Sequence, residues 1–205
     1  VEVDGAAYWM SDNGFFRFTG KLESMDCLVE DFVYDNLNTT SNQFIYCGIN
    51  NLFGEITWFY PTADSNVNTR SVTYSYLDST AKRPIWFTNA NALFTRTTWQ
   101  DSAVFGLPHA TQYDAGTDTS FDVVGNTDGI SYYYEHEKGL NQIRLGVTTA
   151  IPANITSGDY DITQKIVKGA ATNMADLRGD GENIMRVSRI IPDFINQNGN
   201  TIIQL

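Results

Sequence analysis

The sequence predicts an all-β protein built of antiparallel, four-stranded, blade-like sheets, and three observations lead there. Aromatic residues make up 13% of the chain and charged residues only 18%, a balance that suits pleated surfaces better than solvated helices. In Phe53-Gly54-Glu55-Ile56-Thr57-Trp58-Phe59-Tyr60-Pro61, the side chains of Ile56, Trp58 and Tyr60 fall on one side of an extended chain. Val72, Tyr74 and Tyr76 do the same in the run from Arg70, so two strands with apolar faces flank a polar, turn-rich loop from Thr62 to Thr69. Strand-like runs then recur in groups of four. The closing strands Ile85-Trp86-Phe87 and Ile130 to Tyr134 are offset by about 45 residues, the period of a β-propeller blade.

Taken in order, Tyr8-Trp9-Met10 and Phe15 to Gly20 form a hairpin about Asn13-Gly14, the end of a partial blade over residues 1–20. A connector over 21–42 carries Leu28, Val29, Phe32, Val33 and Leu37 at helical intervals, with Asp26 placed as an N-cap. A blade over 43–90 holds strands at Phe44–Ile49, Ile56–Tyr60, Val72–Leu77 and Ile85–Thr88, and another over 91–139 holds Phe94–Thr98, Ala103–Phe105, Phe121–Val124 and Ile130–Tyr134. Residues 1–139 thus form a partial propeller. Residues 140–205 form a smaller β-rich region, with strands at Ile143–Val147, Tyr160–Ile162, Met185–Ile191 and Ile202–Ile203. Val at position one and a strand pattern running to Leu205 predict a piece of a longer polypeptide that continues past the last residue.

The charge balance narrows the function. With 24 acidic and 13 basic residues the net charge is −11, which repels phosphate backbones and anionic membranes and argues against a conventional nucleic-acid-binding domain. No apolar run approaches the roughly 18 residues that would span a bilayer. Cys27 and Cys47 make no disulfide framework and no metal-ligand spacing. Cys47, between Ile45 and Ile49, reads as a small buried side chain, and a bridge between the two cysteines stays open for an extracellular setting.

Candidate chemistry is sparse. Glu135-His136-Glu137 places a histidine between two carboxylates, but on a strand His136 projects opposite to both neighbours, and His109 is the only other histidine. A strand end turning at Lys138-Gly139 outweighs a site there. Arg178 to Asn183 offers Asp180 and Glu182 in a Gly-rich turn as weak cation candidates, outside the EF-hand spacing. Asp114, Asp118 and Asp122 suit a solvated acidic loop better than a calcium loop. Asp64, Asp78, Asp101 and Glu135 supply carboxylates for glycoside cleavage, yet no spacing pairs any two of them. No phosphate-cradling loop or nucleophile elbow is present, so no cofactor, metal or catalytic residue is assigned. The glycosylation patterns at Asn38 and Asn154 matter only in a secretory setting. Trp58, Trp86 and Trp99 are the aromatics to weigh for stacking on sugars. Trp58, Tyr60, Pro61, Tyr74, Tyr76 and Trp86 read instead as the structural motif of the sheets, leaving Trp99 as the weak ligand candidate.

These stretches, together with Tyr134 to Gly139, Gly179 to Met185 and Arg189 to Phe194, resemble structural tail proteins of tailed bacteriophages, similar to the propeller-bearing nozzle or tail-tube proteins of short-tailed phages. The resemblance implies a non-enzymatic virion component, present as several copies in a ring, that contacts other tail proteins and lines part of the conduit for DNA delivery without binding DNA specifically. A receptor- or glycan-binding tail module is the alternative it leaves open, with a glycan-degrading enzyme behind it.

Overall fold

The structure is a computed structural model that describes residues 1–80, 83–90, 95–114, 129–144 and 146–151. The chain divides into two compact units, Val1–Ala153 and Asn154–Leu205, and every described residue lies in the first. It is all-β with antiparallel pairing throughout the described sheets. No helix among the described residues is long and apolar enough to cross a membrane.

Sheet 1 contains β1 (Glu2–Val3), β2 (Ala6–Ser11), β3 (Gly14–Phe18) and β4 (Leu22–Met25) in that order. The hairpin about Asn13-Gly14 forms as the turn chemistry predicts, with Ser11 opposite Gly14. Phe15 to Phe18 is the third strand of four rather than a closing strand, because β4 pairs with it from within the stretch expected to be connector. Arg17 and Glu23 face each other in that pair and form an exposed ion pair at 2.5 Å, an interaction of little net worth in water.

The true connector is shorter. Its helix α1 spans only Glu30–Tyr34, is preceded by Val29 and has no side-chain cap, so Asp26 does not start it. Val33 and Leu37 point into the core while Leu28 and Phe32 are exposed, which leaves too narrow an apolar stripe to hold a longer helix. A 3-10 turn over Thr39–Phe44 follows, capped by the Asn38 side chain accepting from the Thr40 amide.

Sheet 2 contains β5 (Tyr46–Asn50), β6 (Glu55–Pro61), β7 (Asn68–Ser75) and β8 (Trp86–Asn89), again in sequential order. Gly54, at φ +67, makes the β5–β6 turn in a conformation that side-chain-bearing residues avoid. The β6–β7 loop is not simply exposed. Thr62 and Asn68 are buried, the Thr62 and Thr69 hydroxyls share a 2.7 Å hydrogen bond, and the pairing slips at Tyr60/Pro61, as a bulge requires.

Pleating gives sheet 2 two unlike faces. Ile56, Trp58, Tyr60 and Val72 point into the core, whereas Glu55, Thr57, Ser71 and Thr73, the alternate positions, point the other way. The apolar face packs on sheet 1. Phe15 meets Trp58 at 5.0 Å between ring centroids and Trp86 at 4.8 Å, Tyr74 meets Trp86 at 4.9 Å, and Tyr8 reaches Tyr74 at 6.2 Å. Tilted aromatic pairs of this kind contribute about 0.5–1.5 kcal/mol each beyond their burial. The Trp86 indole also donates to the Asp26 carbonyl at 2.9 Å.

Sheet 3 has the order β11-β10-β9, with β9 at Thr98–Gln100, β10 at His109–Asp114 and β11 at Ile130–Glu135. Two expectations change here. Ala103–Phe105 is a turn, closed by the Phe105 and Gly106 amides on the Ser102 carbonyl. The central strand β10 carries the polar sequence HATQYD and shows no apolar alternation that would reveal it. Phe94 and Phe121–Val124 lie outside the described residues. The expected strand Ile143–Val147 is instead a hairpin of β12 (Asn141–Arg144) and β13 (Val147–Ala150), turned at Gly146 with φ +79.

The aromatic core sets a stability prediction. Trp58→Ala should cost about 3–5 kcal/mol in urea unfolding. Trp9→Ala, on the outer face of sheet 1 where the exposed ring stacks on Phe16, should cost about 1 kcal/mol or less.

Candidate functional site

The polar face of sheet 2 does not meet solvent directly, because β9 and the end of β11 lie across it. Between them is a cavity of about 680 Å3, within the size range of small-molecule sites. Sheet 2 supplies Asn50, Glu55, Thr57 and Thr73 to its wall, and the opposite side supplies Arg96, Trp99, His136 and Glu137.

Trp99 fixes the spacing of the two walls. Its indole nitrogen donates to the Ile49 carbonyl at 2.7 Å, and its own carbonyl accepts from the Tyr46 hydroxyl at 3.2 Å. The ring lies against Phe59 and, at 4.5 Å, His136. This close approach requires glycine opposite: a Cβ on Gly48 would sit 2.5 Å from Trp99 Cγ. Trp99 is therefore a clamp between sheets whose N–H is already engaged, although one edge of it remains in the cavity wall.

Arg96 is 6% exposed and organises the inner side of sheet 3. It lies 4.4 Å from the centre of the Tyr134 ring, donates to the Thr95 carbonyl at 2.6 Å, and places Nε 3.0 Å from His136 Nε2. Guanidinium nitrogens only donate, so His136 Nε2 accepts and the ring proton resides on Nδ1. Burial, reinforced by the Arg96 charge, lowers the His136 pKa to about 3. A ring that stays neutral, with its Nε2 lone pair occupied, is not a proton-transfer group near neutral pH.

Strand alternation holds to the end of β11 at Glu135 and breaks beyond it, where Glu137, in a left-handed conformation, lines the cavity wall together with His136. Tyr132, Tyr134 and His136 turn inward and pair ring to ring, while Tyr133, Glu135 and Glu137 are exposed. Each acid has a separate partner: Glu135 takes Lys138 at 2.6 Å, and Glu137 accepts from Asn50 Nδ2 at 3.1 Å. Glu137 has φ 58, a left-handed conformation that costs a non-glycine residue about 1–2 kcal/mol. The Glu55 carboxyl is held above its ordinary value, first by burial and then by the charges of Glu137 and Asp78. On the outer face, Tyr133 stacks on His109 and hydrogen-bonds to its Nδ1.

The other sequence candidates do not converge. Asp78 pairs with the Ser75 hydroxyl and Asp101 with the Asn51 amide groups. Asp64 is exposed, its carboxyl lowered chiefly by the Thr62 hydroxyl. Trp58, Tyr60 and Pro61 are buried in the core and Trp86 is stacked there, so none forms a sugar-stacking shelf. Tyr74 and Tyr76 are half-buried against the same core. Asn38 of the first glycosylation pattern is committed to capping and to the Ser65 carbonyl. Both cysteines are free thiols, and burial pushes each to about 12, far from a reactive thiolate. Among the described residues no group of His, Cys, Asp and Glu converges to hold a metal ion. Asp118, Asp122, Asn154, Asp180 and Glu182 lie outside the described residues.

Sequence reasoning missed Arg96, Asn50 and Glu55. Only the alternation of Glu55 and Thr57 with Ile56 and Trp58 held a trace of the polar wall. No family model and no curated protein matches the chain.

Gly48→Ala should displace Trp99 and cost about 1–3 kcal/mol, as overpacking does, in denaturant unfolding. His136 sets a pH dependence. Its folded pKa lies below the ordinary 6.5, so the unfolded state binds more protons in acid, and this group subtracts stability as pH falls below 6.5. Glu55, with a raised pKa, acts in the opposite sense, its penalty being relieved in acid. The comparison that isolates the ring is His136→Gln, which keeps an acceptor for Arg96. The stability of wild type relative to this variant should fall by about 1.4 kcal/mol per unit of pH below about 6, measured by urea unfolding at several pH values.

Proposed function

We propose that this chain is a structural component of a bacteriophage tail, built from propeller-like blades and contributing, as several copies around the tail axis, to the conduit through which DNA leaves the particle. The observation that carries the architectural half is the repetition of one unit. Sheets 1 and 2 are both four-stranded antiparallel meanders in sequential strand order, packed face to face over Phe15, Trp58 and Trp86. This is how successive propeller blades stack. Closure of such a ring takes about four to eight blades, so further chain or further copies complete it.

The phage assignment rests on the sequence resemblance, and the charge is consistent with it. A wall with a surplus of carboxylates over cations, −11 for the chain, offers DNA no counterion-releasing contacts and lets it slide past. A non-catalytic role accords with a neutral His136 whose Nε2 is occupied by Arg96 and with Glu135 and Glu137 held by separate partners.

Immuno-electron microscopy of particles carrying this chain should place label on the tail, and averaged images should show a symmetric ring with an acidic lumen. Label confined to the capsid, or absence of the chain from purified particles, would end the tail assignment. A basic lumen would end the conduit argument alone.

A further inference from the structure

Sheet 1 is apolar on both faces. Its inner side gives Val3, Tyr8 and Phe15 to the core. The alternate positions, which the pleat turns outward, place Trp9 opposite Phe16 and Phe18 between Ala7 and Leu22. Trp9 stacks on Phe16 with 5.9 Å between ring centroids, and Trp9, Phe18 and Leu22 are 37%, 45% and 58% exposed. An antiparallel sheet with one face in a core ordinarily turns polar side chains to water on the other. Here the remaining outward positions of β2, β3 and β4 are Ser11, Gly14 and Ser24, and the Arg17–Glu23 pair stands in register with Tyr8 on the inner side. At the margin Glu2 lies opposite Ala7, and its carboxylate accepts from the Gly5 amide at 3.1 Å.

The chemistry of this face selects its occupant. A hydroxylated ligand finds two serine side chains to bond to, and an ion finds no opposite charge on β2, β3 or β4, so the face fits a flat apolar surface. The same sheet makes one such contact already, where Phe15 on its other side meets Trp58 and Trp86 of sheet 2. Copies of a chain with net charge −11 repel one another, and they approach at least cost through a face with no charge at its centre. A patch that is apolar throughout is also complementary to itself, as a twofold contact requires. At about 150–250 Å2 per large side chain, the exposed parts of Trp9, Phe18 and Leu22 amount to roughly 250–300 Å2. Doubled across a twofold, that core falls short of the roughly 1,200 Å2 at which stable interfaces begin, so the association is weak and reversible.

We propose that the outer face of sheet 1 is a self-association surface, on which the same face of a second copy packs across a twofold axis with Trp9, Phe16, Phe18 and Leu22 at its centre. The contact is apolar, and salt strengthens it. It goes beyond the tail assignment, needs neither the tail nor its ring, and stands or falls separately from them.

The test is sedimentation velocity of the 205-residue chain from micromolar to about millimolar concentration, in about 0.05 M and about 0.5 M sodium chloride. A monomer–dimer equilibrium should appear and tighten at high salt, because screening removes the repulsion while the apolar contact remains. Trp9→Ala should weaken the dimer about tenfold, as loss of a central aromatic does. Phe18→Glu, which brings a carboxylate into the contact, should leave a monomer. Phe87→Glu, at a ring of β8 that is 52% exposed, should associate as the wild type does. Should Phe18→Glu prove unfolded by its melting curve, Leu22→Glu takes its place. A chain that stays monomeric throughout, as it would if another part of the polypeptide or a different protein covers the face, would overturn the proposal. So would association that salt weakens, a dimer that the folded Trp9 and Phe18 variants leave intact, or a loss in Phe87→Glu equal to that in Phe18→Glu.

Discussion

The contact on which the described structure depends is the insertion of Phe15, from β3, between Trp58 and Trp86 of sheet 2. Phe15 and Trp58 are essentially fully buried, and the three rings join two sheets that share no strand-to-strand hydrogen bond. Two meanders become one core around these rings, with Tyr8 on Tyr74 beside them. The short connector contributes Val33 and Leu37 to the same core and holds its end through the Asn38 amide on the Pro61 carbonyl.

Sheet 2 then has to satisfy two environments. Its apolar face is consumed by sheet 1, and the strict alternation of a strand commits the intervening residues to the opposite side. Those residues are Gly48, Asn50, Glu55, Thr57, Ser71 and Thr73, too polar to form a second hydrophobic interface. The contact with sheet 3 is accordingly narrow. It relies on Trp99 resting on Gly48 and bonded to the Ile49 carbonyl, and a cavity is left beside it.

The same constraint explains the electrostatics. Arg96 is brought under the Tyr134 ring and against His136, and burial, reinforced by that charge, keeps the imidazole neutral. Burial first, and then the charge of Glu137 brought near by the turn after β11, raise the cost of ionising Glu55.

By itself, the sequence determined the antiparallel β class, the hairpin at Asn13-Gly14, the strands of sheet 2 and the inward set Ile56, Trp58 and Tyr60, because turn chemistry and a two-residue period are local properties. The expected opposition of His136 to Glu137 does not form, because the strand ends at Glu135 and Glu137 turns in a left-handed conformation to line the cavity with His136. Only the tertiary structure decided the rest. β4 and β10 lack alternation and are strands because neighbours pair with them. The site unites residues 87 and 40 positions apart from their partners, as in Asn50 to Glu137 and Arg96 across to His136, and a sheet interface, not sequence spacing, brings such residues within hydrogen-bond reach.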